Sequence, residues 1–77
     1  MTEFPITDRT LWVVYRHGRE AMATVRSYNS GRELRISVGG HTVFRRLLTA
    51  SEDEDRISAD FLGTFFGEGW TPDSLSR

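Results

Sequence analysis

Between residues 10 and 48, β-branched and aromatic residues alternate with polar ones, and turn-forming residues interrupt the pattern three times. Alternation with a period of two predicts half-buried strands. We place strands near residues 10–16, 20–28, 32–38 and 41–48, joined at His17-Gly18-Arg19, Asn29-Ser30 and Gly39-Gly40. The period then changes. Ile57, Phe61, Leu62, Phe65 and Phe66 form one stripe at helical spacing. They follow Ser51-Glu52-Asp53-Glu54, which has the form of a capping box with Ser51 as the cap. The acids fall in the first turn, where the helix dipole favours them. The pattern predicts a helix over residues 52–66, with Gly67 able to end it and Gly63 marking close packing. The expected class is α+β: a twisted four-stranded antiparallel β-meander with one C-terminal helix packed on one face, ββββα. Residues 1–9 are expected to form an extended arm and 68–77 a tail anchored by Trp70, leaving a single domain over 10–67.

The turns set a register. A two-residue turn at Gly39-Gly40 places Ile36 opposite Val43 and Glu33 opposite Arg46. A three-residue loop at His17-Gly18-Arg19 places Arg16 opposite Glu20 and Val13 opposite Ala23. A turn centred on Asn29-Ser30 places Val25 opposite Leu34 and Arg26 opposite Glu33. Each choice pairs apolar with apolar and arginine with acid, as cross-strand energetics favour. The core face then carries Leu11, Val13, Tyr15, Ala21, Ala23, Val25, Leu34, Ile36, Val38, Val43 and Leu47, with His41 and Arg45 at its rim. The outer face carries Trp12, Val14, Arg16, Met22, Arg26, Tyr28, Arg35, Phe44, Arg46 and Leu48 among smaller polar residues.

Charge makes that outer face more informative. The net charge is −1, yet Arg9 to Arg46 holds eight arginines against Glu20 and Glu33, and Ser51 to Arg77 holds seven acids against two arginines. An almost neutral chain is therefore expected to be dipolar, with a basic sheet and an acidic helix. All ten basic residues are arginine, which offers planar, bidentate and stacking contacts that lysine cannot. With 77 residues and no cysteine, the chain has room for one small core, and neither a disulfide framework nor a thiolate metal site. We expect a reducing, cytoplasmic location with no membrane association; the first eight residues lack the charge and apolar pattern of a signal peptide.

Catalytic chemistry is not evident. His17 and His41 alone do not supply the three or four ligands that zinc requires. Glu52-Asp53-Glu54-Asp55 lacks the spacing of a calcium loop, and neither glycine cluster has the phosphate-loop pattern. A set such as Ser37, His41 and Asp60 lacks a nucleophile elbow or oxyanion loop. No enzyme activity, metal or cofactor is expected.

The binding signal lies on the sheet. A solvated antiparallel face should be polar, but the expected outer face mixes arginine with aromatic and aliphatic side chains of the kinds enriched in interfaces. We expect a non-catalytic module that docks on a protein partner, or self-associates, through Trp12, Arg16, Met22, Arg26, Tyr28, Arg35, Phe44 and Arg46. The alternative of single-stranded nucleic acid on the same face is weakened by the absence of a ribonucleoprotein motif and of net positive charge. A second alternative is mimicry of nucleic acid by the acidic patch of Glu52, Asp53, Glu54, Asp55 and Asp60. In size and composition alone, the chain resembles phage-encoded inhibitors of the anti-CRISPR and anti-restriction kind. That resemblance implies a regulator or inhibitor acting by binding.

Overall fold

A computed structural model describes residues 7–72. Four strands, β1 (Thr7–Arg16), β2 (Arg19–Tyr28), β3 (Gly31–Val38) and β4 (His41–Leu48), form one antiparallel sheet in the order β1-β2-β3-β4. A single helix, α1 (Glu54–Gly67), packs on one face. The expected ββββα architecture is thus observed. β1 begins three residues before its expected start, so Thr7, Asp8 and Arg9 continue the sheet. Phe4 and the other residues before Thr7 lie outside the described residues, as do residues 73–77.

The central hairpin has the expected register, with Val25 opposite Leu34 and Arg26 opposite Glu33. The outer strands do not. His17 and Gly18 both have positive φ, 50° and 75°, and close a two-residue turn that sets Arg16 opposite Arg19. Both central residues in the left-handed region match the strand twist of a tight hairpin. β1 also carries a bulge at Leu11, so that Trp12 lies opposite Ala23 and Val14 opposite Ala21. Trp12 and Val14 therefore face the core, and Val13 and Tyr15 face outward. In β4 the two-residue Gly39-Gly40 turn is as expected, with Val38 opposite His41. A bulge at Val43 then shifts the strand by one residue, setting Phe44 opposite Ile36, Arg46 opposite Leu34 and Leu47 opposite Glu33. One extra residue exchanges the faces of everything beyond it. Phe44, Arg46 and Leu48 lie on the helix side, and Arg45 and Leu47 on the outer side.

The core has two parts. Ala23, Val25, Leu34, Ile36 and Leu48 are buried beneath Ile57, Phe61 and Phe65 of α1. Val14 and Ala21 are buried with Trp70, which is only 8% exposed. An aromatic series joins the parts: Trp12 and Phe65 meet edge to face at 5.6 Å, and Phe65 meets Trp70 at 5.3 Å. Phe44 stacks at a tilt on Phe61, 4.6 Å away. The anchoring of the tail by Trp70 is therefore observed. Glycine at 69, with φ of 93°, turns the chain back, and Thr71 exchanges two backbone hydrogen bonds with Tyr15 at 2.7 and 3.0 Å.

The helix differs from expectation at three points. Asp53, not Ser51, is its cap, accepting from the Asp55 N–H at 3.0 Å. Glu52 stays in the preceding turn because its carboxylate accepts the Thr49 N–H at 2.9 Å and pairs with Arg46. Phe66 leaves the apolar stripe and is 47% exposed, and nothing packs within 4 Å of where a side chain at Gly63 would begin.

Candidate docking surface

Two sets of arginines are separated by the sheet. On the helix side, Arg9, Arg32 and Arg46 rise from β1, β3 and β4 toward the start of α1. Arg32 pairs with Glu54 and also donates to the carbonyls of Thr49 at 2.9 Å and Glu52 at 2.8 Å. Arg9 reaches Glu54 at 3.1 Å and Asp55 at 3.6 Å. Arg46 pairs with Glu52. The Thr49 amide, reinforced by Arg46, holds the Glu52 carboxyl below its ordinary value of 4.5. The charge asymmetry of the sequence is thus largely spent within the molecule, fastening the acidic helix start to the basic strands.

This arrangement changes the expected acidic patch. Glu52, Glu54 and Asp55 are engaged by the chain's own arginines, and Asp53 caps the helix. Asp60, one turn further on, is exposed.

The outer face is composed differently from expectation. Met22, Arg26, Tyr28 and Arg35 lie on it as expected. Trp12, Phe44 and Arg46 do not, because the bulges turn them toward α1. Arg16 also falls on the helix side, and its Nε lies 3.6 Å from where a side chain at Gly69 would begin. Their places are taken by Val13, Tyr15, Arg45 and Leu47. Rows run across the sheet: Asp8, Arg26, Glu33 and Leu47 in one, and Thr10, Thr24, Arg35 and Arg45 in the next. Arg26 bonds Asp8 at 3.2 Å and Arg35 bonds Glu33 at 2.5 Å. Arg45 is exposed and has no ion pair among the described residues. Asp8, Glu20 and Glu33 balance Arg26, Arg35 and Arg45, so the face is neutral rather than basic. Its β4 margin is apolar: Val43 is 62% and Leu47 72% exposed.

Period-two reasoning missed Arg45, Val43 and Leu47 as outward residues. The signal available was negative. Val43-Phe44-Arg45-Arg46-Leu47-Leu48 does not alternate, so it could not assign its own faces.

Among the described residues there is no enclosed pocket and no cluster of three or more metal-ligating side chains. No helix is long and apolar enough to cross a membrane. No protein-family model matches the chain, and no curated protein or solved structure is detectably similar to it.

Proposed function

We propose that this chain is a non-catalytic binding module that docks on a protein partner through the outer face of its sheet and acts as a regulator or inhibitor. The observation that carries the reading is the apolar margin of that face, where Val43 and Leu47 are exposed beside Arg45 on a domain with little core to spare. Met22, Tyr28 and the outward arginines are of types enriched in interfaces, and an exposed apolar patch beside them marks an interaction site. The pairing of Arg26 and Arg35 with acids favours a protein over nucleic acid, since a phosphate-tracking surface needs a surplus of cations.

The test compares two variants in capture of a partner from lysate of the source organism. Met22→Glu with Arg35→Glu alters the outer face, and Ala59→Glu alters the exposed side of the helix. The first is expected to lose the captured protein and the second to keep it, with both retaining wild-type circular dichroism. Equal capture by the two variants would overturn the reading.

A further inference from the structure

Resting on that reading, we infer that the free edge of β4 receives an extended acidic segment of the partner as a fifth strand, with a carboxylate opposite Arg45 and apolar side chains opposite Val43 and Leu47. The two edges of the sheet differ. On the β1 edge the chain pairs with itself at one position, the Tyr15–Thr71 bridge near the end of the strand. Nothing pairs with the outer edge of the eight-residue β4 among the described residues. An exposed edge is a template for strand addition. The bulge at Val43 and the charge of Arg45 are devices that guard such an edge against indiscriminate pairing, and they narrow what it accepts rather than cover it.

Charge selects the occupant. Arg35 and Arg45 lie directly opposite one another, a like-charge pair that costs stability unless each is answered. Glu33 answers Arg35. Arg45 is left without an acid, and the next position outward in that row would belong to an added strand. A carboxylate there completes the row. The flanking same-face positions meet Leu47 on one side and Val43 on the other, so the segment has the form apolar–x–acid–x–apolar. A second copy of β4 fits poorly, because His41 to Leu48 contains two arginines and no acid. Self-pairing would place more cations against Arg45.

The probe is a pair of synthetic peptides, acetyl-TVTETVT-amide and its lysine counterpart acetyl-TVTKTVT-amide, titrated into the full chain labelled with nitrogen-15. The glutamate peptide is expected to shift the backbone amides of residues 41–48 and to slow their hydrogen exchange, leaving those of β1 unmoved. The lysine peptide is expected to bind about tenfold more weakly. Arg45→Glu should reverse that preference. Shifts along β1, equal binding of the two peptides, or β4 shifts that follow protein concentration without peptide would each overturn the inference. The underlying reading fails separately. If Arg45→Glu keeps the captured partner while Met22→Glu with Arg35→Glu loses it, face docking stands and strand addition falls. If neither variant loses it, both fall.

Discussion

The sheet ends in two strands that are finished in different ways. At β1 the chain returns on itself: Trp70 is buried against Val14 and Ala21, and Thr71 pairs with Tyr15. At β4 no described residue pairs with the backbone edge, and two aliphatic side chains are exposed. The inner attachments differ as well. The end of the sheet near Tyr15 is covered by the aromatic packing of Trp12, Phe65 and Trp70, whereas at the opposite end Arg9, Arg32 and Arg46, from β1, β3 and β4, are tied to Glu54 and Glu52 at the helix start. A domain this small has little apolar area to distribute. It uses that area beside Tyr15 and Thr71 and leaves Val43 and Leu47 exposed on β4.

The largest expected effect tests the closed edge. Trp70→Ala should cost about 3 kcal/mol, the lower range for removing a buried tryptophan, because the site lies near the end of the fold and can partly collapse. In a chain of this size, that lowers the melting temperature by roughly 12–24 °C, measurable by far-ultraviolet circular dichroism. On β4, Leu47→Thr should change stability by no more than about 0.5 kcal/mol, as for an ordinary surface position. Similar losses at the two sites would erase the distinction between the edges.

Next in size is the ionic attachment. Arg32→Met leaves two backbone carbonyls and part of the Glu54 carboxylate without their donor, which should cost about 2 kcal/mol. Arg9 remains to hold Glu54, so the loss should stop short of unfolding. Urea titration of the variant reads this directly. A cost below about 0.5 kcal/mol would show that Arg32 adds little to the hold of Arg9 and Arg46 on the helix start.

How much of this arrangement could be read beforehand depended on the strand. β2 and β3 alternate over most of their length, as in Ala23-Thr24-Val25-Arg26 and Glu33-Leu34-Arg35-Ile36-Ser37-Val38, so their faces and mutual register followed from the sequence. β1 and β4 contain adjacent large apolar residues, Leu11-Trp12-Val13-Val14 and Val43-Phe44, and each hides a bulge there. Where both neighbours are apolar, burial of either is plausible by pattern. Packing against Phe61 and Phe65 made the choice, turning Phe44 and Trp12 inward and partly burying them. The ion pairs were concealed for a related reason. Arg32 and Glu54 lie 22 residues apart, and only the corrected register brings Arg46 to the helix side. Half of the expected docking residues were therefore placed on the correct face, all of them on the central strands or their ends.

A smaller effect probes the packing of the closed edge. The Trp12 indole Nε1–H is buried and has no hydrogen-bond partner among the described residues. An unpaired buried donor carries a penalty of about 1–3 kcal/mol. Trp12→Phe removes that penalty while losing part of the ring's contact with Phe65. The two terms oppose, and the variant should melt within about 1 kcal/mol of the wild type. A loss above 2 kcal/mol would mean that the indole nitrogen is satisfied in solution.

The smallest expected effect concerns the tie at the end of β4 and depends on pH. The Thr49 amide and Arg46 favour the ionised form of Glu52, so its folded value lies below the ordinary 4.5. For a depressed carboxyl, the stabilisation is fully present above the unfolded value and disappears as pH falls through the folded one. Glu52→Gln should therefore melt slightly below the wild type at pH 7. The gap should persist down to about pH 4.5 and close below it, where the wild-type carboxyl also becomes neutral. Over the same range the amide of Arg46 should move with the Glu52 carboxylate that it pairs with. A gap independent of pH would show that Glu52 acts through shape rather than charge. The ionic hold on the helix start would then rest on Arg9 and Arg32.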